Sequence, residues 1–143
     1  MIYISKKSKE GGRVLVKDVA INIDAPVHFI AKILQELGRK NIVQSMKGPN
    51  GGFYLDEQHV NTSLADIVKA IDGDRIYTEC VLGLKACSQK NPCPVHYEYK
   101  EIKEKLITML ETNTISNFND LLETGKYADH ISWLSFGRLS GKE

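Results

Sequence analysis

Residues 24–55 read DAPVHFIAKILQELGRKNIVQSMKGPNGGFYL, and the change of period inside this stretch decides the fold. Ile30, Ile33, Leu34 and Leu37 fall at i, i+3, i+4 and i+7, which places one apolar stripe along a helix. His28, Lys32, Gln35 and Arg39 then occupy the opposite face. Asp24 is expected to cap this helix, with Pro26 in the first turn, where a missing N–H costs nothing. After Arg39 the helical spacing stops. Residues 42–46 (IVQSM) read as a strand, 47–52 (KGPNGG) as a turn and 53–55 (FYL) as the returning strand. A hairpin that follows a helix pair in this way is a wing.

On the N-terminal side, Val16, Val19, Ala20 and Ile23 predict a short helix over 16–23, joined by a few residues to the one above. Two such helices form the skeleton of a helix-turn-helix. Residues 2–9 are too short and polar to stand as a helix alone, and Gly11-Gly12 ends whatever turn they form. On the C-terminal side, Ser63 with Asp66 resembles a capping box ahead of a helix whose buried positions are Leu64, Ile67, Val68 and Ile71, closed by Asp72-Gly73. Residues 75–94 lack a period and contain all three cysteines, which predicts an ordered loop. Pro94 is expected to start the longest helix, to about Thr112. Its Tyr99, Ile102, Leu106 and Met109 have the seam spacing of packed helices and are assigned to a homodimer interface. Ser116 is expected to cap a last short helix with Phe118, Leu121 and Leu122, stopped at Gly125.

The expected fold is therefore mainly α with a small β-hairpin wing: a winged helix-turn-helix plus a long dimerisation helix. Its divisions are 1–73 for DNA binding, 74–94 for a cysteine-rich sensing loop, 95–125 for the dimerisation helix with the short helix after it, and 126–143 for a tail carrying Trp133 and Phe136, to which no role is assigned. There is no internal repeat or low-complexity tract.

Composition narrows the function. The chain has 143 residues, 42% of them hydrophobic, within the range of one compact domain. No stretch of about 18 apolar residues exists to cross a membrane, and the first residues are too charged for a signal peptide, so the expected location is the cytoplasm, with no membrane partner. Three cysteines cannot all pair within one chain, and thiols persist in a reducing compartment. The net charge of +1 hides an asymmetry. Residues 1–50 hold nine Lys/Arg against four Asp/Glu, while the remainder holds ten against fourteen, so a basic half faces a polyanion.

Two constellations carry chemistry. A recognition helix needs hydrogen-bonding side chains for base edges and cations for phosphates. Pro26, His28, Lys32 and Gln35 on the helix, with Ser45, Lys47 and Asn50 on the wing, form the expected DNA-facing set. Each of these residues singly fits an ordinary solvated face as well. The wing glycines are not a phosphate-cradling loop, because Gly52 leads into a strand rather than into Gly-Lys-Ser/Thr at a helix start. The second constellation is Cys80, Cys87, Cys93 and His96, a competent ligand set for zinc or for an iron–sulfur cluster. Small buried cysteines beside a satisfied histidine are the plainer alternative. A Cys93–His96 pair has no orienting acid or oxyanion donor in the nearby sequence, so an enzyme is not expected.

The segment Gln44-Ser45-Met46-Lys47-Gly48-Pro49-Asn50-Gly51-Gly52-Phe53 is similar to the wing of the IscR, NsrR and CymR family of bacterial transcription regulators, the Rrf-type winged-helix family, and residues 63–73 (SLADIVKAIDG) resemble its next helix. The resemblance runs from about Val14 to Gly125. It implies a homodimer on a partly palindromic double-stranded DNA operator. It also implies a cluster on Cys80, Cys87 and Cys93, with His96 at the position that completes a two-iron two-sulfur set. This sequence departs from the family in three places: the first cysteine gap is one residue longer than the commonest pattern, Lys47 replaces an arginine, and Met1-Ile2-Tyr3-Ile4 resembles only the last turn of a longer first helix, so the N-terminal helix is expected to be truncated. The alternatives are a cluster-free repressor of the same fold that responds through thiols or a partner protein, and a structural zinc-binding interaction module.

Overall fold

A computed structural model describes residues 1–124 of the chain; Gly125 and the tail 126–143, with Trp133 and Phe136, lie outside the described residues, as does the side chain of Leu122. The order of elements is α1 (Ile2–Lys9), α2 (Val16–Asn22), α3 (Val27–Arg39), β1 (Gln44–Met46), β2 (Gly52–Tyr54), α4 (Leu64–Asp72), α5 (Arg75–Thr78), α6 (His96–Thr112) and α7 (Ile115–Glu123), with one 3-10 turn at His59–Asn61. This is the expected mainly helical chain with a two-stranded antiparallel wing.

The stripe on α3 is buried as its spacing predicts: Ile30, Leu34 and Leu37 lie in the core and Ile33 packs against it. The start of α3 differs from expectation. Asp24 adopts φ 50° and ends α2, where the Ala25 N–H donates to the Ala20 carbonyl at 3.0 Å. Aspartate is one of the few residues that enters the left-handed region at low cost. Pro26 takes the N-cap position instead, and its carbonyl accepts from the N–H groups of Phe29 and Ile30.

The wing pairs Gln44 with Tyr54, Ser45 with Phe53 and Met46 with Gly52. Val14 adds a single antiparallel bridge to β2, exchanging two backbone hydrogen bonds with Phe53 at 2.8 and 3.0 Å. Gly52 sits at φ 146°, and a Cβ there would stand 2.8 Å from the Val14 carbonyl oxygen. Gly48 has φ 111° with open space around it. Gly52→Ala is therefore expected to cost about 1–3 kcal/mol of stability and Gly48→Ala less, since the second meets backbone strain without a clash. Urea midpoints of the two variants check this ordering.

Residues 2–9 form a full helix, contrary to the expectation for this stretch. Its stability comes from docking: Ile4 and Ser5 are wholly buried, and Ser5 Oγ accepts a hydrogen bond from Asn119 on α7. Ser8 Oγ donates to the Ile4 carbonyl and accepts from the Leu55 N–H, tying α1 to the wing. Short helices owe most of their stability to such packing rather than to propensity.

Ser63 caps α4 as expected, accepting from the Asp66 N–H at 3.1 Å. The buried positions of that helix are Ala65 and Ala70, whereas Leu64, Ile67 and Val68 are half-buried and Ile71 is exposed. Both α3 and α6 pack against α4, and its small residues take the buried positions. The cysteine segment contains the short α5, and α6 begins at His96 rather than at Pro94. α7 is capped by Thr114, whose Oγ1 accepts from the Asn117 N–H, and not by Ser116. It returns to the N-terminal head, where Ile115 joins the core containing Ile4, Leu37 and Val43.

Candidate metal or cluster centre and DNA-facing surface

The loop between α5 and α6 is folded by its own backbone. The Gly83 N–H donates to the Cys80 carbonyl at 2.9 Å with Gly83 at φ 67°, a turn that glycine adopts without a steric penalty. Cys87 N–H donates to the Leu84 carbonyl, and Ser88 and Asn91 exchange two hydrogen bonds of 3.1 Å, closing the arc between Cys87 and Cys93. His96 N–H donates to the Cys93 carbonyl at 3.0 Å, so the last cysteine lies one turn before the first residue of α6.

These turns gather the three thiols. The sulfurs of Cys80, Cys87 and Cys93 lie within 4.8 Å of one another, those of Cys80 and Cys93 being 3.8 Å apart. His96 reaches the group through Cys87, with its Nδ1 3.1 Å from that sulfur. Its Nε2 is buried with no hydrogen-bond partner. A buried polar nitrogen without a partner is costly, but it is Nδ1 and not this nitrogen that faces a sulfur, and the close group consists of the three cysteines. The thiols are all half-buried and unbridged.

The acidities of Cys80 and Cys93 diverge. The backbone N–H of Leu82, with that of Leu84, points at the Cys80 sulfur and pulls its thiol below the ordinary range. Desolvation pushes Cys93 up, against the N–H of Val95. Three thiolates at such distances repel, and a bound cation relieves that repulsion. The centre opens into a cleft of about 310 Å³ also lined by Thr78, Gln89, Tyr99, Lys100 and Lys103. Among these, Lys103 Nζ donates to the Glu79 carbonyl at 3.1 Å, tying α6 to the chain just before Cys80.

The second surface is the reading head. Pro26, His28, Lys32 and Gln35 on α3 and Ser45, Lys47 and Asn50 on the wing are all exposed. Gln35 and Ser45 line one cleft of about 430 Å³ between helix and wing, together with Arg39 and Gln44. Lys47 and Asn50 lie apart from it in the wing turn, and Pro26 serves as the cap. Two further cations belong to this surface: Arg39, which the sequence places on the polar face of the helix but not in the DNA-facing set, and Arg13, which the sequence reading missed. Arg39 faces the same cleft, and Arg13 stacks 5.4 Å from the Tyr54 ring centroid with its guanidinium donating to the Asn50 carbonyl at 3.4 Å. The pairing of Val14 with Phe53 sets Arg13 beside the wing, and no local pattern announces it.

Of the seam residues, Tyr99 and Leu106 are half-buried while Ile102 and Met109 are 61% and 49% exposed. No helix among the described residues is long and apolar enough to cross a membrane.

Comparison with known proteins identifies the family and the fold. The Rrf2 profile, described as an iron-dependent transcriptional regulator, matches residues 1–121. A protein of Aquifex aeolicus named as a helix-turn-helix-type transcriptional regulator is 31% identical over 112 residues, 77% of this chain and 78% of its own length. The regulator IscR of Yersinia pseudotuberculosis is 23% identical over 126 residues, 86% of this chain and 76% of its own. Among solved structures, CymR, the global cysteine regulator of B. subtilis, superposes with a TM-score of 0.67 at 19% identity, covering 84% of this chain and 87% of that one. IscR of T. potens gives 0.62 at 17% identity, covering 82% and 76%.

Proposed function

The chain belongs to the Rrf2 family of transcriptional regulators, and on that premise we propose that it is a homodimeric, sequence-specific DNA-binding repressor of the cytoplasm whose signal enters through an iron–sulfur cluster held by Cys80, Cys87, Cys93 and His96. The observation that carries the proposal is the gathering of three thiols within 4.8 Å between the reading head and the long helix. A two-iron two-sulfur cluster with three thiolates and one imidazole matches this donor set. Such a cluster, when bound, supplies a redox-active and oxidant-labile group.

The protein's own residues do the rest. Cys80 follows α5, while Cys93 and His96 bracket the start of α6, so holding all of them together fixes the angle at which α6 leaves the head. Backbone N–H groups aimed at the Cys80 sulfur favour its charged form. With α6 as the dimer seam, the joint sets the separation of two α3 helices, and half-site spacing is what a dimeric helix-turn-helix reads. His28, Lys32 and Gln35 face the bases and Lys47 a phosphate.

Binding measurements on duplexes selected from a random pool test the reading head. Lys47→Ala is expected to weaken binding to every sequence and to reduce the salt slope by about one. Gln35→Ala is expected to relax sequence preference at one position while leaving random-duplex affinity in place. If both variants bind selected and random duplexes like the wild type, the assignment of α3 and the wing is wrong.

A second reading, a cluster-free thiol sensor, draws on the 3.8 Å between the Cys80 and Cys93 sulfurs. Two thiols there could lose two electrons and two protons to a peroxide and close a disulfide, whose sulfurs stand about 2.05 Å apart. Iron and sulfide analysis of anaerobic protein separates the two readings.

A further inference from the structure

Resting on the DNA-reading role above, we infer that Phe29 is a specificity residue that recognises the 5-methyl group of thymine in the major groove. Phe29 lies in the first turn of α3 and is 54% exposed, although a buried position on this helix would be an ordinary place for so large an apolar side chain. At about 100° per residue, Phe29 lies about 60° around the helix from Lys32 and about 100° from His28. It therefore stands at the border of the two faces, about 40° from Ile33, and its exposure is what sets it outside the stripe of Ile30, Ile33, Leu34 and Leu37 that packs in and against the core. Val27, also exposed, flanks the other side of the same face toward Gln35.

The occupant follows from this position. The N-terminal residues of a recognition helix are those that reach base edges. Lys32, one turn after Phe29, and the basic wing place an anionic partner on that side, which a polyanion fits and a hydrophobic protein groove does not. Among base edges in the major groove, the thymine methyl is the apolar group, and aromatic or aliphatic side chains meet it. His28 and Gln35 hydrogen-bond, Lys32 supplies charge, and Phe29 supplies the apolar contact that none of them can make.

Uracil keeps the hydrogen-bonding edge of thymine and lacks only its methyl, which gives a test confined to this contact. A duplex is selected from a random pool by the full-length protein, and each dT is replaced in turn by dU. At one or two positions the wild type is expected to bind about fourfold more weakly, the effect of removing one buried methyl-sized group. Phe29→Ala is expected to bind the dT duplex more weakly and to lose all response to dU at those positions, while its random-duplex affinity and salt slope stay as in the wild type. A double-mutant cycle between residue and methyl reads the coupling directly. If the wild type is indifferent to every dU, or Phe29→Ala responds to dU as the wild type does, the inference is overturned and the regulator reading stands. Equal loss of selected and random binding in Phe29→Ala would assign Phe29 to packing or to a protein partner and overturn it too. If no sequence is enriched at all, the regulator reading falls and takes the inference with it.

Discussion

Cys87→Ala and Cys93→Ala proteins, prepared anaerobically with iron and sulfide supplied, are expected to retain neither element, whereas the wild type is coloured and holds both. The three sulfurs stand close enough to bind one group, so removing any one leaves a set too small to hold a cluster. His96→Ala is expected to behave differently. His96 touches the triad through Cys87 alone, so water or another donor can take its place, and the expected result is a cluster that loads and is then lost faster. Chelator challenge followed by visible absorbance separates these outcomes. All variants should keep their helical circular dichroism, because the core of Ile4, Leu34, Leu37, Val43 and Ile115 lies in the head and not in the loop. Anaerobic wild-type protein that remains colourless, with neither iron nor sulfide, would overturn the cluster and leave the thiol-sensor reading in front. Zinc alone would instead support a structural site, since zinc is colourless and has no redox chemistry.

Ile102→Asp is expected to convert a dimer to a monomer in sedimentation and to lower operator affinity by about 100-fold or more. Ile102 is the most exposed of the four seam residues, so a charge there leaves the protomer's own packing intact and acts where a second copy would sit. Leu106→Asp should dissociate the dimer too, but Leu106 is half-buried within its own protomer and the result would mix association with stability. The loss in affinity exceeds that of any single contact because two half-sites bound by one dimer act at a high effective concentration, which a monomer forfeits. Random-duplex binding by the monomer should persist. An Ile102→Asp protein that sediments as a dimer would move the interface elsewhere.

Much of this molecule is legible in local pattern. The α3 stripe, the wing glycines, the Ser63 cap and the seam spacing are short-range signals, and each depends on residues within about two turns or one hairpin of one another. The cysteines and His96 could be grouped as ligands because thiolate and imidazole are the chemistry metals need, whatever the backbone does between them. The exposed face of α3 was likewise legible, as the complement of its buried stripe.

Other features depend on contacts between residues far apart in the chain. The α1 segment reads as too polar for a helix because its stabilisation comes from Asn119 and Leu55, which lie 114 and 47 residues away from their partners Ser5 and Ser8. Asp24 looks like an N-cap and is the left-handed end of α2, since its role depends on how α2 and α3 cross and not on its neighbours' identities. Arg13 meets Tyr54 and Asn50 of the wing beside the Val14–Phe53 bridge, a contact across the chain that its neighbours in sequence do not announce. Phe29 reads as one more apolar residue on an amphipathic helix until packing shows which apolar residues the core leaves outside. Most of the helices, the wing and the exposed face of α3 could be read from local pattern, and the cysteines could be grouped by their chemistry, because periodicity and side-chain chemistry are local. The tertiary structure alone decided the docking of α1 and α7, the exposure of Phe29 and the meeting of three sulfurs within 4.8 Å, because each of these is a distance between segments that only the closed chain brings together.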